Sequence, residues 1–145
     1  MPPKPRSRRR GETMTRLRMP SRRAAVGPMV ERILKLAARA GLSPERRENL
    51  AVALAEALSN AAVHGHRERA NSLVLIAVLT RSDGCCVVDV RDSGPGFDVA
   101  SVVDPTHPHR LLMPGGRGVF LMRRLVDRLE YNTKGNQVRL VMENK

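Results

Sequence analysis

Tryptophan is absent, and the 145 residues include only one Tyr and two Phe. Any core must therefore be aliphatic, and platforms for stacking nucleic-acid bases are nearly missing. The only cysteines are the neighbours Cys85 and Cys86. Adjacent cysteines cannot staple a disulfide framework, so the expected setting is reducing and cytoplasmic. No apolar run reaches membrane-spanning length, so no membrane partner is expected. The basic N-terminus is not followed by the apolar stretch of a secretory signal. The length suits one domain that can bury a core.

What the chain has in excess is positive charge, +12 overall, but it is unevenly spread. Residues 1–23 carry nine Lys or Arg against one Glu, whereas residues 24–145 carry 17 against 13 Asp or Glu. Residues 1–13 read as a basic, disordered tail, and residues 14–145 as the domain. The tail either solubilises the chain or meets RNA, DNA or an acidic partner; Met14 also offers an alternative start.

Thr15 to Met19 alternate as a short strand. Ser21 is placed to cap a helix reaching about Ala40, with Val26, Met29, Val30, Ile33, Leu34 and Leu36 mostly on one side and Gly41 as its stop. Ser43-Pro44-Glu45 reads as an N-cap, a proline at the first helical position and an acid in the first turn. The helix it opens ends near Gly65. Ser72–Thr80 and Cys85–Arg91 read as a hairpin around Ser82-Asp83-Gly84. Residues 93–117 are rich in Gly and Pro, a loop long enough to be a lid. Gly118–Val126 has helical spacing, and Arg128–Tyr131 with Gln137–Met142 reads as a last hairpin around Lys134-Gly135-Asn136. This order predicts an α+β fold: a two-layer sandwich with a mixed, mostly antiparallel sheet and helices on one face.

Three stretches carry chemistry. In Leu50–Val63, 11 of 14 residues are apolar, yet Glu56 and Asn60 sit four apart, with His64 four further on. Residues at that spacing share a helix face. Leu50, Leu54, Leu58 and Ala61 form the opposite stripe, while Val52, Ala53 and Val63 flank the polar pair. On spacing alone the pair is either part of a solvated face, or is partly covered and meets a metal, water or ligand. Burial without partners would cost several kcal/mol. The second stretch, Asp92-Ser93-Gly94-Pro95-Gly96-Phe97, follows a strand. It is either a plain Gly-Pro turn or a place where a planar ligand approaches backbone lacking a Cβ. The third, Gly115-Gly116-Arg117-Gly118, opens a helix whose free N–H groups suit a phosphate. It is neither a Walker A loop nor a dinucleotide fingerprint.

Taken in this order, Glu-x-x-x-Asn-x-x-x-His-Gly, Asp-x-Gly-x-Gly and Gly-x-Gly resemble the GHKL (Bergerat-fold, histidine-kinase-like) ATPases over about residues 15–143. The compact version with EALSNAAVHGH and a closing GNQVRLVM is similar to the anti-sigma factor serine-protein kinases of bacterial partner switching. The resemblance implies ATP and Mg2+ as cofactors. Asn60 would hold the metal and Glu56 would be the general base. Asp92 would accept from the adenine amino group, with Gly94 and Gly96 shaping the pocket. Gly116 and Gly118 would underlie the phosphates, and residues from about Val99 to Gly115 would form the lid. Arg117 stands where relatives carry an apolar residue, and either reaches a phosphate or points to solvent. Asn136-Gln137 replaces a Gly-Thr pair usual in the last hairpin. His64 is expected to close its helix through a backbone bond. His66, His107 and His109 are too dispersed for a metal site.

The implied activity is that of an ATP-dependent serine/threonine protein kinase that is also an anti-sigma factor. Its partners would be a sigma factor and an anti-anti-sigma protein, and it would be a homodimer joined through the sheet. Alternatives are a non-catalytic ATP-binding regulatory module, or a separate catalytic domain of a sensor histidine kinase. Nucleic acid would enter only through the tail.

Overall fold

The computed structural model describes residues 11–66, 72–94 and 116–144. Among these residues five strands alternate inward and outward side chains and join in one sheet. They are β1 (Glu12–Pro20), β2 (Leu73–Arg81), β3 (Cys86–Arg91), β4 (Arg128–Tyr131) and β5 (Gln137–Met142), in the order β1-β2-β3-β5-β4. Among the described residues every pairing is antiparallel, so the expectation of a mixed sheet resolves to its antiparallel part. One face is a row of buried aliphatics: Val74, Ile76 and Val78, then Val88 and Val90, then Val138 and Leu140. Among the described residues three α-helices cover it: α1 (Val26–Ala40), α2 (Pro44–His66) and α3 (Gly116–Leu125). The result is the expected two-layer α+β sandwich.

Local chemistry explains the helix limits. Gly41 takes a left-handed φ of 99°, and its N–H with that of Leu42 closes the last turn of α1 onto Ala37 and Ala38. The Ser43 hydroxyl accepts from the Arg46 N–H at 3.4 Å, which caps α2 behind Pro44. Leu50, Leu54 and Leu58 on α2 are fully buried. Met29, Ile33 and Ala37 on α1 are buried as well, and Val30, Leu34 and Leu36 pack at the margin.

Two expectations at the N-terminal end are corrected. Ser21 caps nothing: its N–H donates to the Ser72 carbonyl (3.1 Å), and its buried hydroxyl finds no partner among the described residues. A short 3-10 turn, Arg23–Ala25, leads into α1 instead. The first strand begins at Glu12, three residues earlier than alternation alone indicated, because pairing with Arg81 extends it. Similarly, α3 begins at Gly116, which brings both Gly116 and Gly118 inside the helix.

Long-range polar ties fix the helices to the sheet. Arg46 of α2 pairs with Asp127, whose carboxylate also accepts from the Glu143 N–H at 2.7 Å. Asn144 accepts from the Ser43 N–H (3.3 Å) and donates to the carbonyls of Gly41 (3.2 Å) and Asp83 (3.1 Å). One side chain thus joins the α1–α2 connection to the β2–β3 turn. The other face of the sheet carries the ion pairs Glu12–Arg81 and Asp89–Arg139, with Leu73 and Leu75 exposed.

Cys86 points into the core under the helices, while Cys85 lies on the opposite face beside Val87 and Val141. Burial, with Cys85 adding to it, pushes the Cys86 thiol from 9.0 up to about 12. Burial also raises the Tyr131 phenol from 10.0 to about 12, against a smaller lowering by Arg123. Both groups keep in the folded state a proton that the unfolded chain releases. Their contribution to stability is therefore complete below pH 9 and is lost between pH 9 and about 12. Thermal melts should show the midpoint falling through that window. Cys86→Val should flatten the part that begins at pH 9 and leave the part due to Tyr131. An unchanged slope would show that Cys86 is not held neutral by the core.

Candidate active site

The alanine-rich middle of α2 has two jobs. Leu50, Leu54 and Leu58 bury one side, while Ala57 and Ala61, nearly inaccessible, keep the adjoining side thin. Small side chains there leave space between α2 and the end of the sheet. A shallow cleft, open to solvent, occupies it, with Asn60, Val90, Asp92, Tyr131, Asn136 and Gln137 in its walls.

Glu56 and Asn60 are half-buried, one helical turn apart. α3 lies against them through Gly118 in its first turn. A Cβ at that position would stand 2.7 Å from Glu56 Oε2 and 3.5 Å from Asn60 Nδ2. Only glycine allows this approach with the carboxylate in place. The positive end of α3 is therefore set beside the carboxylate, a favourable arrangement.

At the other end of the cleft, Asp92 follows β3. Its Oδ1 accepts from the Gly94 N–H at 2.8 Å, and its own N–H donates to the Asn136 carbonyl at 2.9 Å. The first bond is an Asx turn that orients the carboxylate; the second ties it to the β4–β5 turn. Asn60 borders both ends, with Glu56 and Gly118 on one side and Asp92 on the other.

The structure thus brings Asn60 and Asp92 to the walls of one depression, with Glu56 and Gly118 in contact beside Asn60 and Gly94 bonded to Asp92. Gly116 is the first residue of α3, followed by Arg117. Gly96, the proposed lid at 99–115, His107 and His109 lie outside the described residues, as do the side chains of Arg117, His64 and His66. Among the described residues no group of three or more His, Cys, Asp or Glu could hold a metal ion. A divalent ion beside Asn60 would thus need phosphate or water for most of its ligands, as Mg2+ commonly does. The contact-close Gly118 cradle and the acid–amide pair fit such a phosphate–metal group.

The last hairpin occurs as the sequence indicated, but the place of Tyr131 in the cleft wall and the bracing of the turn by Asn132 were not legible from the motifs. The available signal was an Asn three residues ahead of a Gly between strands, the pattern of a side-chain-braced turn.

Residues 19–142 match the family described as histidine kinase-like ATPase domain. Serine-protein kinase RsbW of Oceanobacillus iheyensis is 27% identical over 124 residues, 81% of this chain and 78% of that protein. The RsbW of Bacillus subtilis is 30% identical over 117 residues, covering 77% and 72%. The anti-sigma F factor of Clostridium beijerinckii is 30% identical over 96 residues, covering 64% and 66%. Among solved structures, the RsbU and RsbW domains of a Mycobacterium tuberculosis protein superpose with a TM-score of 0.63 at 16% identity. That match covers 90% of this chain and 32% of the longer one, and it speaks to the fold alone.

Gly118→Ala isolates the α2–α3 contact. Alanine is the better helix former by about 1 kcal/mol, and the clash falls on the mobile tip of Glu56, so the melting temperature should stay within a few degrees (about 5 °C at most). The added methyl and the displaced Glu56 side chain should crowd the space beside Asn60, and Mg-ATP affinity should fall about tenfold or more, a loss of roughly 1.4 kcal/mol. Calorimetric titration with a crystal structure of the variant would check this. Wild-type affinity with Glu56 unmoved would refute the packing described.

Proposed function

Because the chain belongs to the histidine kinase-like ATPase family, we propose that it is an ATP-dependent serine/threonine protein kinase acting as an anti-sigma factor. It would bind a sigma factor in one state and phosphorylate an anti-anti-sigma protein in the other. The names of its relatives, serine-protein kinase and anti-sigma F factor, support this reading. The observation that carries it is the meeting of Glu56, Asn60 and the start of α3 at Gly118, with Asn60 also lining a cleft that Asp92 borders.

In this reading Asp92 accepts a hydrogen bond from the adenine amino group, with Gly94 and Gly96 giving the ring room. Gly116 and Gly118 bring backbone N–H groups under the phosphates, and Arg117 adds positive charge there. Asn60 would hold Mg2+. When bound, the metal neutralises phosphate charge and fixes the geometry of transfer. Glu56 takes the proton of the attacking serine or threonine hydroxyl as that oxygen bonds to the γ-phosphorus and the bond to ADP breaks. The open sheet face, with Leu73 and Leu75 exposed, is the surface assigned to a homodimer.

Two substitutions separate binding from transfer. Asp92→Asn replaces an acceptor by a mixed amide and should weaken Mg-ATP binding about tenfold or more. Glu56→Gln should leave binding near wild type and lower phosphotransfer to the cognate partner by about 10²–10⁴-fold. Transfer by Glu56→Gln at the wild-type rate would remove Glu56 as the base. Tight nucleotide binding by the wild-type protein without transfer to its partner would favour a regulatory module. With no Trp in the chain and Tyr131 in the cleft wall, tyrosine emission reports occupancy directly.

A further inference from the structure

Asn132 follows β4 and is not among the residues lining the cleft, yet its carboxamide organises the wall. Its Oδ1 accepts from the N–H groups of Gly135 (2.8 Å), Asn136 (3.0 Å) and Gln137 (3.2 Å). An atom that takes three backbone N–H groups must be the oxygen. Its Nδ2 therefore faces Asn136 and donates to Asn136 Oδ1 at 2.6 Å. That bond fixes the second amide in turn: the Asn136 oxygen is turned to Asn132, and its NH2 is the end left to face other partners. Asn136 is only 8% exposed and lines the cleft, and its carbonyl holds the Asp92 N–H.

The geometry points to Asn132 as a positioning residue that sets the amide polarity of Asn136 and thereby selects a 6-aminopurine over a 6-oxopurine. The inference rests on the nucleotide reading above. With Asn132 as found, the cleft offers an acceptor from Asp92 and a donor from Asn136. A 6-aminopurine edge carries an amino donor next to a ring-nitrogen acceptor, which complements that pair. A 6-oxopurine carries an oxygen acceptor next to a protonated ring nitrogen, the reverse order. The Asn132–Asn136 turn thus carries information that the Asp-x-Gly-x-Gly stretch alone does not.

Asn132→Asp tests this cleanly. The new carboxylate can still accept from the three backbone N–H groups, so the turn should hold. It cannot donate to Asn136, which must turn its amide over and present oxygen to the cleft. Mg-ATP and Mg-ITP, which differ at the purine 6-position, are titrated against wild type and variant by calorimetry. The wild type should prefer ATP, and Asn132→Asp should reduce the ATP-to-ITP affinity ratio about tenfold or more, with little change in melting temperature. Asn136→Asp keeps an acceptor for the Asn132 NH2 but has no NH2 of its own, and should lose the same preference. It serves equally if Asn132→Asp fails to fold. An unchanged ratio in a folded variant overturns the inference while leaving nucleotide binding intact. Failure of the wild type to bind either nucleotide removes the nucleotide reading and this inference together.

Discussion

The site depends on the close approach of two helices at one glycine. α3 reaches Glu56 and Asn60 because Gly118 has no side chain, with 2.7 Å left between a would-be Cβ and the carboxylate. The approach fixes three things together. It brings the positive end of α3 to an acidic group, covers part of an otherwise ordinary helix face, and leaves the adjacent depression as the open side of that face. The sparsity of polar residues in the middle of α2 then has a physical reason. Two are needed at the contact, and the alanines around them are small enough to let the cleft exist.

The far end of the cleft is built differently. There the backbone does the work, and side chains brace it. Asp92 is held by its Asx turn and by the Asn136 carbonyl, and Asn136 by Asn132. A hydrogen-bonded chain of this kind is rigid because each amide has its polarity fixed by the next, and a half-satisfied member would be costly at a residue as buried as Asn136. Asn60 links the two constructions, touching the α2–α3 contact at Gly118 and lining the cleft with Asp92 and Asn136.

Much of this was legible in the residues because the signals were local. Ser43-Pro44-Glu45 and Gly41 mark helix ends by hydrogen bonds made within a few positions, and both occur as read. The β-branched runs gave the strands, since their inward positions alternate strictly. Where reading failed, the deciding partner was distant in sequence. Ser21 looks like a cap but spends its N–H on Ser72, and β1 extends to Glu12 because Arg81 lies opposite. The tie of Asn144 to both Gly41 and Asp83 has no signature along the chain. For the site, the spacing of Glu56 and Asn60 told which face they share, but not that α3 would press upon it. Asn132 was invisible because its role passes through two further residues.

The central claim is that a nucleotide occupies the space between α2, the start of α3 and the β4–β5 turn. Amide chemical shifts of the ¹⁵N-labelled protein titrated with Mg-ATP test it most directly. The account predicts saturable shifts concentrated at Asn60, Asp92, Gly94, Gly118 and Asn136, with the open sheet face around Leu75 and Arg139 unmoved. Shifts confined to that face, or none at saturating nucleotide, would contradict it.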